Sequence, residues 1–319
     1  MTLPDGWTTR RPTDADVAAI LAVVHASDIA SVGFADCGAD EIEEILHAPN
    51  FDPQHDAWLA VDDRGQVVGW AYIGNPHGST REEIEAYAHP ERGVPAQAHL
   101  LGLLLARVAA RAAENGRAAV TARAMAIPTE QRYLGLLTEH GFSWVKRYAR
   151  MTRPLTDVDK TPADLPEQVT IRLMRHGDDA DMREFFRVLD TAFQDTPDYL
   201  AQGYDRWRER IAALPLVEWD EWFVAELAGQ PVGVLQSTAD LEAHKGWVKN
   251  LAVLREARGR GVGQALLRHA FSVYAAKGRT EVGLGVDLTN PTEAYRLYTG
   301  VGMTPAYEVE ILEREVLAA

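Results

Sequence analysis

Three glycines and two arginines lie close together between residues 258 and 263, after an apolar run and before a leucine-containing segment. Glycine lets the backbone turn tightly and approach a ligand closely. Where such a turn leads into a helix, free backbone N–H groups and the helix dipole favour an anion. Arg258 and Arg260 add positive charge at the same place. The spacing therefore predicts a pyrophosphate-binding turn at the start of a helix.

Two other phosphate-binding motifs do not fit this turn. A dinucleotide fingerprint beginning at Gly261 would need a third glycine where the chain has Leu266. A P-loop would need Gly-Lys-Ser or Gly-Lys-Thr, which the segment does not contain. The turn is therefore neither of these nucleotide motifs.

The elements around the turn belong to a repeated unit. Residues 56–69 and 220–233 share Asp, Trp, Gly, Gln, Val and Gly in register, at an offset of 220 − 56 = 164. Each copy has the pattern of a strand, a glycine turn and a second strand, which indicates a hairpin. Helices are expected to begin near Asp14 and near Asp178. The pattern predicts an α/β (α+β) fold with two tandem domains, each a mixed, mostly antiparallel sheet flanked by helices.

A proline-containing segment separates the two copies. Residues 154–166 contain three prolines and no helical periodicity, which suits a linker. We therefore place one domain at residues 1–153, a linker at 154–166 and a second domain at 167–319. A length of 319 residues agrees with two domains of roughly 150 residues each.

The second copy resembles the GCN5-related N-acetyltransferases, the GNAT family, at two places in the family's order. The glycine turn resembles the family's coenzyme A loop and reads Leu251-x-Val253, then Arg258-x-x-Gly261-x-Gly263. The second segment resembles the family's Asn…Ala…Leu-Tyr-x-x-x-Gly-Phe and reads Asn290…Ala294…Leu297-Tyr298-x-x-x-Gly302-Met303. The tandem layout is similar to that of mycothiol synthase-like actinobacterial acetyltransferases.

This resemblance implies a role for each matching residue. Tyr298 would protonate the departing thiolate and is the catalytic candidate. The backbone of residues 251–253 would pair with the pantetheine arm, and Asn290 would hydrogen-bond to that arm. The expected coenzyme A-binding residues are Leu251, Ala252, Val253, Arg258, Gly259, Arg260, Gly261, Val262, Gly263, Gln264 and Asn290.

The general base is left open by the sequence. Relatives similar to mycothiol synthase carry a glutamate on the strand before the glycine turn, and the corresponding position here is Trp247, which cannot accept a proton. Trp247 either lines an acceptor pocket or packs in the core. The remaining candidates for the base are Asp240, Glu242, His244, Asp287 or a water relay.

The first copy lacks the residues that carry this chemistry. At the aligned positions it has Val94, Pro95, Gln97 and Leu137 where the second copy has Arg260, Gly261, Gly263 and Tyr298. Proline offers no N–H group to a phosphate. We therefore expect a degenerate N-terminal GNAT-like domain that serves as a scaffold, and one coenzyme A per chain.

The net charge and the cysteine content limit the classes of molecule that the protein is expected to bind. The formal net charge is 32 − 47 = −15, which disfavours nucleic acid and would steer a cationic small molecule inward. The single cysteine, Cys37, excludes an intrachain disulfide and a cysteine-based metal cluster. The charged N-terminus and the absence of a run of roughly 20 apolar residues predict a cytoplasmic protein without a membrane segment.

Taken with the resemblance, these features predict an acyl-CoA-dependent N-acyltransferase. The expected reaction moves acetyl from acetyl-CoA to a primary amine by direct attack, in the C-terminal domain and without a metal. The expected acceptor is a small-molecule amine, and the expected state is a monomer. Two alternatives are a non-catalytic acyl-CoA-binding or regulatory module and a mycothiol synthase-like enzyme of thiol metabolism.

Overall fold

The chain forms two compact units in a computed structural model. The structure describes residues 2–48, 50–75, 78–161, 164–196, 199, 201–212, 214, 217–240, 245–289 and 294–319. Unit 1 comprises Met1–Arg147 and Glu308–Ala319, and unit 2 comprises Tyr148–Tyr307.

The strands and helices follow one another in the same pattern in both halves of the sequence. The strands are β1 (Thr8–Arg10), β2 (Ala57–Val61), β3 (Val67–Gly74), β4 (Arg81–Ala88), β5 (Ala119–Ala126), β6 (Ser143–Pro154), β7 (Val169–Leu173), β8 (Phe223–Leu227), β9 (Gln230–Asp240), β10 (Lys245–Val253), β11 (Glu281–Asp287) and β12 (Thr304–Leu317). The helices are α1 (Val17–Val32), α2 (Ala39–Leu46), α3 (Pro53–Asp56), α4 (Val94–Glu114), α5 (Gln131–Glu139), α6 (Asp179–Phe193), α7 (Tyr204–Ala212), α8 (Val262–Ala276) and α9 (Ala294–Gly300).

Each unit is built on a mixed, mostly antiparallel sheet. In unit 1 the strand order is β1-β2-β3-β4-β5-β12, and β4–β5 is the parallel pair. In unit 2 the order is β7-β8-β9-β10-β11-β6, and β10–β11 is the parallel pair. The predicted α+β class with two mixed, mostly antiparallel sheets flanked by helices is therefore confirmed.

The last strand of each sheet comes from the other half of the sequence. Residues 310–317 of β12 pair with β5 in unit 1. Residues 148–154 of β6 pair with β11 in unit 2. The sequence-based boundaries instead assign every strand by its place along the chain. A repeat pattern shows that a strand exists, but its pairing depends on tertiary packing.

Local capping explains where the first helix of each unit begins. The Oδ1 atom of Asp178 accepts the N–H of Ala180 at 3.0 Å and caps α6. In unit 1, Thr13 and Asp16 form a capping box around the turn Asp14–Asp16 that leads into α1. Both predicted helix starts are confirmed.

Helices cover both faces of each sheet. In unit 1, α4 packs on one face and α1 and α2 pack on the other. In unit 2, α8 packs on one face and α6 and α7 pack on the other. The hydrophobic cores lie between these layers, and they hold the turns that precede α4 and α8 in place.

The repeated glycine of the hairpins has a packing role. A Cβ atom at Gly233 would lie 2.9 Å from Val262 Cγ1 and 3.1 Å from Leu266 Cδ1. At Gly69 it would lie 2.9 Å from Leu100 Cδ1. Glycine at these positions lets α8 and α4 approach their sheets closely.

One helical stretch in the described part of the chain, Asp14–Val32, is long and apolar enough by length and composition to cross a membrane. His25 and Asp28 interrupt its apolar run, so the sequence alone did not single it out. Ile20 and Val24 of this stretch are almost completely buried in the core of unit 1.

Candidate active site

Two strands of unit 2 part in the middle of its sheet. The parallel pairing of β10 with β11 covers Lys245–Trp247 and Glu281–Gly283. Beyond it, β10 continues along β9 to Val253, and β11 continues along β6 to Asp287. In the described structure, residues 248–253 therefore present the backbone groups of one strand edge without a β11 partner. An extended ligand can occupy such an edge as an added strand.

A β-bulge lies at the start of this opening. The register of β10 against β9 shifts between Val248 and Asn250, which leaves Lys249 as the extra residue. Such bulges re-aim side chains and end pairing. The predicted pantetheine-binding residues Leu251, Ala252 and Val253 follow directly after the bulge, on the open edge.

Asn250 and Gln236 form an amide pair at the opening that the sequence analysis missed. The Nδ2 atom of Asn250 donates to Gln236 Oε1 at 2.8 Å. Gln236 is 1% exposed, and its Nε2 atom has no hydrogen-bond partner among the described residues. The sequence does contain a signal for this pair, because each of the two largely apolar strands carries one polar amide residue there.

The glycine turn places backbone N–H groups at the start of α8. Gly259 and Gly261 have φ values of 73° and 79°, which are left-handed conformations that glycine adopts without strain. Gly261 caps α8, and its carbonyl oxygen accepts the N–H of Ala265 at 2.9 Å. The N–H groups of residues 262–264 therefore have no acceptor within the helix. Val262, Gly263 and Gln264 thus offer free N–H groups at the turn where the sequence predicts anion binding.

The two arginines of the turn differ in their surroundings. Arg258 is held by the protein, since its Nε donates to the Val253 carbonyl oxygen at 3.0 Å and its Nη1 lies 2.8 Å from Asp195 Oδ2. Arg260 is exposed, and no described residue hydrogen-bonds to it or forms an ion pair with it. Arg258 is therefore engaged by the turn and by Asp195, whereas the guanidinium of Arg260 has no partner among the described residues.

Tyr298 lies on α9, in the hydrophobic cluster that also contains residues of β10, β11 and α8. Its side chain is buried, and this burial raises its pKa to about 12. No described residue hydrogen-bonds to its hydroxyl. The phenol therefore stays protonated at neutral pH and can act as a proton donor.

The spacing between Tyr298 and Gly302 follows from how α9 ends. The N–H of Met303 donates to the Tyr298 carbonyl oxygen at 3.1 Å, and Gly302 has a φ of 84°. This is a Schellman-type helix end, which favours glycine in the left-handed position. The same closure joins Phe142 to Leu137 in unit 1, at 3.0 Å. The shared spacing therefore reflects the fold, and the tyrosine is specific to unit 2.

Trp247 occupies the position on β10 where relatives similar to mycothiol synthase carry a glutamate. Its ring lies against Gly283, where a Cβ atom would be 2.6 Å from Cζ3, and the guanidinium of Arg150 lies 3.8 Å from its ring centroid. Of the base candidates, Asp287 accepts the N–H and hydroxyl of Thr289 on Oδ1. Asn290, Glu242, His244 and the side chain of Asp240 lie outside the described residues.

In the corresponding turn of unit 1, several N–H groups already donate hydrogen bonds to a residue of the same turn. Those of Glu91 and Arg92 donate to His89 Nδ1, and that of Gly93 donates to the His89 carbonyl oxygen at 2.8 Å. Pro95, in the first turn of α4, contributes no N–H. This end of α4 therefore offers fewer free donors than the start of α8.

Comparison with known proteins places these features in one family. Residues 218–302 match the family described as the acetyltransferase (GNAT) domain. The mycothiol acetyltransferase of Thermobispora bispora is 29% identical over 312 residues, which is 95% of this chain and 97% of that protein. The mycothiol acetyltransferase of Streptomyces griseus is 29% identical over 257 residues, covering 80% and 78%.

Solved structures agree with the repeated fold. The GCN5-related N-acetyltransferase of Sphaerobacter thermophilus superposes with a TM-score of 0.85 at 26% identity, over 100% of this chain and 98% of that one. A tandem GNAT protein from the clavulanic acid biosynthesis pathway gives a TM-score of 0.71 at 14% identity, over 98% and 99%, which bears on the fold alone. Proteins of this family take the acyl group from acyl-CoA. The family match falls on the unit whose sheet opens beside the glycine turn, so unit 2 contains a GNAT acetyltransferase domain, and the chain as a whole has the fold of tandem proteins of this kind.

Proposed function

We propose that unit 2 transfers acetyl from acetyl-CoA to a primary amine of a small molecule. The observation that carries this proposal is the opening between β10 and β11, which leads along residues 251–253 to the start of α8, where no side chain caps the free N–H groups. An extended arm that ends in a pyrophosphate fits this arrangement, because strand-edge groups are followed by N–H groups that favour an anion.

Individual residues receive roles in this proposal. The backbone of residues 251–253 pairs with the pantetheine arm, and the N–H groups of residues 262–264 hold the pyrophosphate. Arg260 supplies a positive charge, whereas Gly259 and Gly261 shape the turn. Arg258 fixes the turn through the Val253 carbonyl oxygen and Asp195. Asn290 is proposed to hydrogen-bond to the arm, as in the family.

The proposed reaction is a direct attack of the amine nitrogen on the thioester carbonyl. A C–N bond forms, the C–S bond breaks, and the thiolate takes the proton of the Tyr298 hydroxyl. The raised pKa of Tyr298 keeps that proton in place until a thiolate is formed beside it. Proton return from the amine to the phenolate, through water or a base, restores the starting state.

A cysteine relay does not suit this chain. Cys37 lies in unit 1, where burial and the charges of Glu41 and Asp28 raise the pKa of its thiol. A thiol held in its neutral form is a poor nucleophile. Trp247, at the position of the family's glutamate, cannot act as base. Asp287 or a water relay is left for the amine proton, together with Asp240, Glu242 and His244, whose side chains lie outside the described residues.

The acceptor is assigned by class. An amine agrees with the acidic composition, a formal charge of −15, which favours a cationic small molecule over nucleic acid. The named activity of the Streptomyces and Thermobispora relatives favours a second candidate, the deacetylated form of mycothiol. We further infer a cytoplasmic monomer that works without a metal.

A product assay tests this proposal. The full chain is incubated with acetyl-CoA and a panel of primary amines that includes deacetylated mycothiol, and acetylated products are measured by mass spectrometry. We expect acetylation of at least one amine, an unchanged rate with EDTA, and loss of product on Tyr298→Phe. Hydrolysis of acetyl-CoA without an acetylated amine would contradict the proposal.

A further inference from the structure

Four side chains of unit 1 share one face of its sheet where β4 leaves β5. Tyr72 of β3 is directly opposite Glu85 of β4, and Trp70 is directly opposite Tyr87. Because side chains alternate along a strand, all four point to the face covered by α1 and α2. The Trp70 ring stacks on Tyr72 with centroids 4.6 Å apart and on Tyr87 at 5.8 Å. We call these four residues the Glu85 face.

Glu85 is the first residue after the strands separate. The last parallel pair of β4 with β5 joins Ile84 to Ala124. Glu85 is 8% exposed, and no described residue hydrogen-bonds to its carboxylate or forms an ion pair with it. Burying a lone carboxylate is costly unless a cation or hydrogen-bond donors compensate.

The other buried carboxylates of the described chain have partners. Arg111 pairs with Asp56 at 2.6 Å and with Glu82 at 3.2 Å. Elsewhere, Asp16 pairs with Arg10, Asp181 with Arg172, and Glu221 with Lys277, while Asp62 accepts the N–H groups of Arg64 and Gln66. Among the buried carboxylates that the structure describes, Glu85 is thus the one without an ion-pair or hydrogen-bond partner.

Two further buried polar atoms of unit 1 lack hydrogen-bond partners in the described structure. They are the Nε1 atom of Trp70, a residue that is 0% exposed, and the hydroxyl of Tyr133, a residue that is 5% exposed. Burial, and then the charges of Glu85 and Glu130, raise the pKa of Tyr133. Buried polar atoms without partners point to a ligand that completes them.

The charges around Glu85 are those that favour a cation. Burial raises the pKa of Glu85 well above its ordinary range, and neighbouring negative charges raise it further, so a cation beside it is what would favour its charged form. Those neighbouring charges belong to Glu83, Glu130, Asp28 and Glu41. These negative charges would repel an anion such as a coenzyme A phosphate. Aromatic rings are not ligands for hard metal ions, but they bind organic ammonium groups through their faces.

At the corresponding positions, unit 2 has a pair of neutral amide side chains. Gly69 and Gly233 correspond at an offset of 233 − 69 = 164, so Tyr72 corresponds to Gln236. The strand partners of these two residues are Glu85 and Asn250. The amides of unit 2 hydrogen-bond to each other, whereas the unit 1 pair brings a charge and a ring to the same place.

We propose that the Glu85 face binds a small organic cation, with its ammonium group against the aromatic rings and the Glu85 carboxylate as counter-ion. Trp70 Nε1, which lies on the same face and has no hydrogen-bond partner in the described structure, offers a donor to a polar atom of the same ligand. This inference does not rest on acetyl transfer in unit 2, because it concerns a second site and is read out by binding. It gives the degenerate unit a ligand of its own.

Matched probes on the full chain test the proposal without any variant. Choline, ethanolamine and the neutral choline isostere 3,3-dimethylbutan-1-ol are titrated by calorimetry and by Trp fluorescence. We expect at least one of the two cations to bind 10-fold or more tighter than the alcohol. Equal binding of the cations and the alcohol, binding of magnesium or calcium chloride only, or no binding of any probe would overturn the proposal.

Variants then locate the site. Glu85→Gln is expected to weaken the binding of the preferred cation at least 10-fold, and Tyr87→Leu several-fold. Glu91→Gln removes the same charge at an exposed position of unit 1 and is expected to leave the affinity unchanged. Retained affinity in both Glu85→Gln and Tyr87→Leu would place the site elsewhere and contradict the proposal, and thermal unfolding verifies that each variant is folded.

Discussion

Leu297 of α9 fills the space that a side chain at Gly263 of α8 would need. A Cβ atom at Gly263 would lie 3.1 Å from Leu297 Cδ2 and 3.6 Å from Val253 Cγ2. The glycine that the sequence assigns to a close approach of the phosphate therefore also lets α9, which carries Tyr298, pack against the start of α8. One position thus links the anion-binding end to the candidate acid.

We expect Gly263→Ala to move α9 and so to lower both the melting temperature and the turnover. The new methyl group must displace Leu297 by a few tenths of an ångström. Combining it with Leu297→Ala relieves the overlap, so the effects of the two changes should be non-additive. Thermal unfolding and steady-state rates of both single variants and the double variant measure this coupling. Simple additivity would show that the contact is unimportant.

Tyr298→Phe keeps the ring and removes the proton donor. We expect turnover to fall by about 10²-fold with little change in acetyl-CoA affinity, because general acid catalysis contributes on this scale. Since burial raises the pKa of Tyr298 to about 12, the donor stays protonated at lower pH. The rate profile of the unmodified chain should therefore show no loss from this group below about pH 11. Unchanged turnover of the variant would remove Tyr298 from the mechanism.

The two arginines of the glycine turn should respond differently to alanine. Arg258 holds the Val253 carbonyl oxygen and Asp195, so Arg258→Ala is expected to lower the melting temperature. Arg260→Ala should leave the melting temperature unchanged and weaken acetyl-CoA binding about 10-fold, the loss expected for one charged contact. Calorimetry and thermal unfolding separate the two effects. A lower melting temperature in Arg260→Ala, with weaker acetyl-CoA binding and unchanged stability in Arg258→Ala, would reverse the proposed roles.

Acid stability should depend on an ion pair that recurs in both units. Hydrogen bonds from Arg10 lower the pKa of Asp16 to about 2. Burial would raise the pKa of Asp181, but hydrogen bonds from Arg172 and Arg175 outweigh it and lower the pKa to about 2. Because these folded-state values lie below the unfolded ones, their stabilisation is present above about pH 4 and is lost as the pH falls towards 2.

Asp181→Asn should accordingly lower the free energy of unfolding at pH 7 and flatten its decline between pH 4 and pH 2. Urea titrations across this range measure the effect, and Glu209→Gln on the exposed side of α7 provides a charge-matched control. A parallel decline in Asp181→Asn and the unmodified chain would show that other carboxylates govern acid unfolding.

The sequence predicted the features that depend on local chemistry. The hairpins, the helix starts at Asp14 and Asp178 and the turn before α8 all follow from capping residues and from glycine, whose effects act over a few residues. The exchange of β6 and β12 was not predictable in this way, because strand pairing is decided by contacts between distant segments. The same holds for Arg258, whose partners Ala192 and Asp195 lie more than 60 residues away. The lone carboxylate of Glu85 also becomes visible only when burial is known.

Each chain should bind one acetyl-CoA, although it contains two copies of the fold. The turn before α8 offers the N–H groups of residues 262–264 and the exposed Arg260. In the turn before α4, Pro95 has no N–H and the N–H groups of Glu91 and Arg92 already donate to His89. Each missing charged contact costs about 1.5 to 3 kcal/mol, so the loss of several would move a micromolar site beyond millimolar. Calorimetric titration should therefore give a stoichiometry near one.

Charge reversal in each turn assigns that single site to one unit. Arg260→Glu brings repulsion to the proposed phosphate position and should weaken acetyl-CoA binding more than 10-fold. Arg92→Glu reverses an exposed charge in the turn of unit 1 and should leave affinity and stoichiometry unchanged. A stoichiometry near two, or weaker binding in Arg92→Glu than in Arg260→Glu, would show that the first turn holds coenzyme A despite its proline.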